Sequence, residues 1–165
     1  MFDDAVLIAL GSSLAGGFAS REALLEAALD DFPAAGLKLV KRSAWWRSAS
    51  WPDPEQPDYL NGLALVETAL SPRQTLAALR RIEAAFGRRR DLVNAPRTLD
   101  LDLIAHGRAV LDEPDLILPH PRAHERLFVM GPLTEIAPEW RHPVLGGTAA
   151  ELARKADVGA DATPV

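Results

Sequence analysis

Arg97-Thr98-Leu99-Asp100-Leu101-Asp102-Leu103-Ile104 carries two aspartates inside an apolar alternating run. In a β-strand alternate residues share a face, so Asp100 and Asp102 point the same way with Cα atoms about 6.5 Å apart. Leu99, Leu101 and Leu103 then fill the opposite, buried face. Aspartate is a poor strand former and two like charges on one face repel. A positive partner is therefore expected, and Mg²⁺ with the phosphates it carries is one that fits. Arg97 stands at the start of the same strand. A guanidinium beside a carboxylate pair suits a Mg²⁺–nucleotide site, because the phosphates carry more charge than the metal cancels. A solvated strand face with a plain Arg–Asp salt bridge is the alternative.

Working outward, the strand closes a longer pattern. Asp4 to Leu10 reads as a buried strand ending at Gly11. Ser20 is suited to cap a helix running to Phe32, with Leu25, Ala28, Leu29 and Phe32 on one face and Pro33 ending it. Leu37 to Arg47 reads as a second strand, the Pro/Ser-rich stretch 48–57 as a loop, and Tyr59 to Thr68 as a third strand. Ser71-Pro72-Arg73-Gln74 has the form of a capping box with proline at the first helical position. Leu76, Leu79, Ile82 and Phe86 follow at helical spacing, and Gly87 stops that helix.

The order is β-α-β-β-α-β, the split βαβ arrangement of ferredoxin-like folds. The expected class is α+β: this core, with an added C-terminal hairpin from Val110 to Leu118 and short helical pieces from about Gly131, as an αβα sandwich. Residues 1–154 read as a single domain and 155–165 as a flexible, polar tail.

Composition narrows the function. At 165 residues, 48% hydrophobic and 25% charged, one domain with a proper core is expected. The net charge of -5 speaks against a general binder of nucleic acid or anionic membrane. The absence of cysteine excludes disulfides, thiolate zinc sites and thiol catalysis. Met1-Phe2-Asp3-Asp4 lacks the basic region of a secretory signal, so a cytoplasmic protein, monomeric by default, is expected. Only Lys38, Lys41 and Lys155 are lysines, so phosphate recognition here rests on arginine's planar fork.

Other stretches offer chemistry. Gly11-Ser12-Ser13-Leu14-Ala15-Gly16-Gly17 resembles a phosphate loop only in its glycines, since Gly17 and Phe18 stand where Lys and Ser/Thr are needed. Arg88-Arg89-Arg90 reads either as a solvated helix end or as part of a loop able to close over phosphates. Tyr59 and Asn61 share a strand face; an amide reads heterocycle edges and a neighbouring ring stacks on them. Pro119-His120-Pro121-Arg122-Ala123-His124-Glu125-Arg126-Leu127-Phe128 gathers cations and one aromatic. Pro121 argues against a zinc site of His120 and His124 on one helix face, and phosphate contact fits better.

Three motifs in order then carry a resemblance: Gln56-Pro57-Asp58-Tyr59-Leu60-Asn61, Pro96-Arg97-Thr98-Leu99-Asp100-Leu101-Asp102, and Pro119-His120-Pro121-Arg122 through Glu125-Arg126 and Phe128-Val129. Pro132-Leu133 and Glu135-Ile136-Ala137-Pro138 extend it. Over about residues 4 to 145 the chain resembles the 6-hydroxymethyl-7,8-dihydropterin pyrophosphokinases of folate biosynthesis. The resemblance implies transfer of diphosphate from ATP to the pterin hydroxymethyl group, with release of AMP. It implies two Mg²⁺ ions held by Asp100 and Asp102, with Arg88 and Arg97 joining them in catalysis. Arg88, Arg90, Arg97, Leu103, His120 and Arg126 would contact ATP. Tyr59 and Phe128 would sandwich the pterin, Asn61 would bond its edge, and Ser48 and Ala49 would frame it.

The departures are Ser13 for the family's Asn in the first loop, Asn94-Ala95 where some members carry Trp-Gly, and Pro121 where some carry an aromatic residue. They keep a non-catalytic pterin or nucleotide binder in view. A ferredoxin-like RNA-binding module is disfavoured by the acidic balance and the lack of a basic-aromatic strand.

Overall fold

The computed structural model describes residues 4–49, 58–87 and 98–165. Strand β1 (Val6–Ser12) leads to helix α1 (Arg21–Asp30), and then β2 (Lys38–Arg42), β3 (Trp46–Ser48) and β4 (Tyr59–Glu67). Helix α2 (Pro72–Ala85) precedes β5 (Asp100–His106), and a hairpin of β6 (Leu111–Glu113) and β7 (Leu116–Leu118) follows. Helices α3 (Leu127–Ile136) and α4 (Ala149–Lys155) and a last strand β8 (Thr163–Pro164) complete the chain. The main sheet runs β5-β1-β4-β3-β8, with β2 on the same edge of β4 as β3, and all its pairings are antiparallel. This is the ferredoxin-like order expected from the sequence.

Local signals account for the elements. Ser20 Oγ accepts from Ala23 N–H and starts α1. At α2 both arms of the capping box form, Ser71 Oγ with Gln74 N–H and Gln74 Oε1 with Ser71 N–H, behind Pro72. Gly87 leaves α2 at φ +83°, the left-handed turn that glycine takes without steric cost.

Alternation along the strands divides the core between two faces. Val6, Ile8 and Leu10 of β1 pack with Leu25, Phe32 and Leu79 on the α1–α2 side. Leu7 of β1 and Leu63 and Leu65 of β4 pack with Met130, Leu133 and Trp140 on the α3–α4 side. Helices thus cover both faces, giving the αβα sandwich. Removing one of these fully buried leucines costs about 2–5 kcal/mol.

Three boundaries differ from the sequence reading. The strand expected over 37–47 is broken into β2 and β3, because Ser43 turns inward and its Oγ accepts from Leu63 N–H at 2.9 Å. Helix α3 starts at Leu127 rather than near Gly131 and carries Pro132 inside it. Burial of Val129, Met130, Leu133 and Ile136 outweighs the one backbone donor that Pro132 lacks. Residues 156–165 are drawn back along β3: Thr163 pairs with Arg47, and Val165 N–H reaches Trp45 O at 2.9 Å.

Candidate active site

Asp100 and Asp102 project from the α3–α4 face of edge strand β5, both half-buried, while Leu99, Leu101 and Leu103 are in the opposite core. The alternation expected from the sequence therefore holds. The strand is fixed from behind. Buried Glu83 of α2 accepts Leu101 N–H at 2.8 Å, serving a donor on the open side of the sheet. Thr98 Oγ1 donates to Phe86 O at 2.6 Å, and His120 N–H to Ile104 O at 2.8 Å.

Register places other candidate side chains on the same face. Asp100 lies opposite Gly11, Gly11 opposite Asn61, and Asn61 opposite Trp46. Two strand spacings put the Asp100 and Asn61 backbones roughly 10 Å apart. Gly11 keeps the row open: a Cβ there would come within 3.3 Å of Asn61 Oδ1. Buried Asn61 donates from Nδ2 to Ser48 Oγ at 2.9 Å. Tyr59 pairs with Ser48, two positions along from Asn61 on its strand, and so shares its face. Asp58, just before Tyr59, is held by Arg21 at 2.8 Å and Arg47 at 3.0 Å.

Arg126 and Phe128 enter from the start of α3. The Arg126 guanidinium lies 5.6 Å from the centre of the Phe128 ring, a cation–π contact. Burial lowers the pKa of Arg126, opposed by Asp102 and, more weakly, Asp100, while Arg122 adds to the lowering. An arginine remains charged throughout. Arg126 thus links electrostatically with the carboxylates and contacts the aromatic residue directly.

His120 is pushed down to about 4, chiefly by burial and then by Arg126 and Arg122, with Asp100 acting against them. It is neutral at pH 7. Its Nδ1 accepts from Arg122 N–H at 3.2 Å, which places the ring proton on Nε2 and makes that edge a donor.

A cavity of about 380 Å³ opens beside Asp102, between α2, β5 and the β6–β7 hairpin. Leu103 and His120, expected at the nucleotide, line it, and so do Leu76, Arg80, Asp115 and Ile117, which sequence reading did not select. Leu76 and Arg80 are four apart on α2 and share a face, which was the available signal. The hairpin's place was not readable. Arg73 fixes it through a two-pronged contact to Asp115, at 3.0 and 3.1 Å, and a further pair with Glu113. That guanidinium holds the Asp115 carboxyl below its ordinary range.

The donor set suits magnesium carried by a nucleotide. Mg²⁺ keeps several waters and takes one or two carboxylates plus phosphate oxygens, so two aspartates beside a cavity fit it, while a neighbouring arginine would pair with the phosphates rather than the metal. Among the described residues no group of three or more His, Cys, Asp or Glu side chains forms a metal cage. Arg88, Arg90 and Arg97, expected at the phosphates, lie outside the described residues.

A ferredoxin-like sheet with paired carboxylates on an edge strand, a cationic flank and an amide–aromatic end is an arrangement suited to binding a small molecule that carries phosphate. The sequence matches the family described as 7,8-dihydro-6-hydroxymethylpterin-pyrophosphokinase over residues 7–138, and the chain belongs to that family. It is 44% identical over 123 residues to 2-amino-4-hydroxy-6-hydroxymethyldihydropteridine pyrophosphokinase of Synechocystis, covering 74% of this chain and 63% of that protein. To the enzyme of the same name in Pseudomonas aeruginosa it is 42% identical over 139 residues, covering 84% of this chain and 83% of that protein. The structure of Plasmodium falciparum HPPK-DHPS with pteroate superposes with a TM-score of 0.70 at 12% identity, over 92% of this chain and 42% of that one. That likeness speaks to the fold. The chain spans less than two thirds of the Synechocystis relative's length.

Proposed function

We propose that this protein transfers a diphosphate from ATP to the hydroxymethyl group of 6-hydroxymethyl-7,8-dihydropterin, as a step of folate biosynthesis. The pterin oxygen bonds to the β-phosphorus, the bridge between α- and β-phosphorus breaks, AMP leaves, and the hydroxyl proton passes to solvent or a nearby base. The observation that carries the reading is the row Asp100, Gly11, Asn61 on one sheet face, with Arg126 and Phe128 entering above it.

In this reading Asn61 bonds the pterin edge, Tyr59 and Phe128 hold its faces, and Ser48 and Ala49 frame it. Leu103, His120 and Arg126 meet ATP, the neutral His120 as a donor from Nε2. Arg88, Arg90 and Arg97 are assigned to the phosphates by the family pattern, with Arg88 and Arg97 sharing in catalysis. Asp100 and Asp102 would hold two Mg²⁺ ions, which supply charge neutralisation at the phosphates and a lowered pKa at the attacking hydroxyl. The chain's own part is positioning and electrostatics, which is what phosphoryl transfer chiefly requires. The net charge of -5 favours small-molecule substrates over nucleic acid or an anionic membrane, and we infer a cytoplasmic monomer with a single pyrophosphokinase domain.

Asp102→Ala tests the assignment. Turnover should fall by at least about a hundredfold, the scale of losing a group that stabilises transition-state charge, while thermal unfolding stays cooperative. Unchanged turnover would refute the metal-holding role.

A further inference from the structure

We propose that the C-terminal segment, residues 156–165, is a wall of the pterin subsite, with Asp161 as the residue that positions Ala49; this rests on the reading of that subsite given above. The segment joins the two strips of chain that frame the substrate. At its near end, Val158 N–H donates to Glu125 O and Val158 O accepts from Leu127 N–H, each at 2.9 Å, beside the start of α3. Gly159 then passes directly against the ring of Phe128: a Cβ there would lie 2.5 Å from Cδ1 and 3.1 Å from Cε1. Its φ of +68° also disfavours any residue but glycine. Phe128 is thus seated by the tail.

At its far end the segment adds β8 to the outer edge of β3, with Thr163 opposite Arg47 and Pro164 opposite Trp46. Buried Ala162 closes the turn between the two ends, its N–H donating to Gly159 O at 2.9 Å. From this turn Asp161 Oδ2 accepts Ala49 N–H at 2.7 Å, one residue beyond the end of β3. A carboxylate acceptor makes a short, charge-assisted bond. It fixes the backbone where the chain leaves Ser48, whose Oγ is the acceptor for Asn61. One ten-residue strip therefore sets both the ring at one wall of the subsite and the backbone at the other.

The test uses the full chain with Asp161→Ala and Asp161→Asn, the second keeping an acceptor oxygen. In Asp161→Ala the KM for 6-hydroxymethyl-7,8-dihydropterin should rise about fivefold, the scale of one hydrogen bond. The KM for ATP and kcat should stay within about twofold, and Asp161→Asn should recover most of the loss. Exchange of the Ala49 amide proton should quicken in Asp161→Ala. An unchanged pterin KM, or a fall in kcat and both affinities together with the melting temperature, would overturn the proposal. If the wild-type protein makes no AMP, the functional reading fails, and the wall is judged by pterin fluorescence titration alone. About fivefold weaker pterin binding in Asp161→Ala would still support it; equal binding, or none to the wild type, would overturn it.

Discussion

Gly131→Ala puts the positioning of β3 to a quantitative test. Gly131 is buried inside α3, where alanine would by itself favour the helix by about 1 kcal/mol. The space is already taken by Trp46: a Cβ would stand 2.6 Å from Cζ3, 2.7 Å from Cη2 and 3.2 Å from Cε3 of the indole. The ring is also tied to α3 through a hydrogen bond from its Nε1 to Glu135. Restoring normal contact requires a shift of about 1 Å, and such overpacking costs about 1–3 kcal/mol. The net expectation is a destabilisation of about 0–2 kcal/mol, a fall of up to roughly 8 °C in melting temperature. The sharper effect is functional. Trp46 lies two residues from Ser48, which frames the pterin in the proposed function, and a displacement of about 1 Å in a strand with that role can cost up to a hundredfold in rate. Chemical denaturation and steady-state kinetics on Gly131→Ala, Trp46→Phe and the double variant give a complete cycle. A coupling of about 1–3 kcal/mol is expected, because Phe removes the atoms that clash. A Gly131→Ala protein that is about 1 kcal/mol more stable, with unchanged pterin KM, would refute the reasoning.

The back of the carboxylate strand and the cationic flank give further expectations. Glu83→Ala should destabilise by about 1–3 kcal/mol, since it strands the buried Leu101 N–H; Glu83→Gln, which keeps an acceptor, should lose less, and urea unfolding separates the two. His120, folded at about 4 against 6.5 unfolded, contributes stability that is full above pH 6.5 and is lost as the pH falls toward 4. That contribution is at most about 3–4 kcal/mol; without nucleotide the parent should therefore lose stability relative to His120→Gln, read from urea unfolding, as the pH falls from 7 to 4, and a constant difference would contradict it. Arg80→Ala should leave the pterin KM unchanged and raise the ATP KM by about tenfold to a hundredfold, the range for one charge-assisted contact.

Much of this architecture was readable in the sequence because the signals are local. Asp100 and Asp102 in a leucine-alternating run specify a strand and its face, and the Ser71–Gln74 capping box specifies where α2 starts. The break between β2 and β3 was not readable, because it depends on Ser43 meeting Leu63, twenty residues away. The early start of α3 was hidden by an apolar run, Phe128 to Leu133, that has no polar face to mark its period. The cavity beside Asp102 needs α2, β5 and a hairpin brought together by Arg73. The tail's small and polar residues gave no periodicity; its place depends on pairing with β3 and on the Gly159–Phe128 contact. Sequence thus named the residues to which the chemistry is assigned in the proposal, and the tertiary contacts told what holds the described ones in place.

The most direct measurement is a product assay with ATP, Mg²⁺ and 6-hydroxymethyl-7,8-dihydropterin that resolves AMP from ADP. Pterin-dependent AMP is expected, one per pterin diphosphate formed, and lost when EDTA is added. ADP as the product, or AMP formation that needs neither pterin nor the metal, would contradict it.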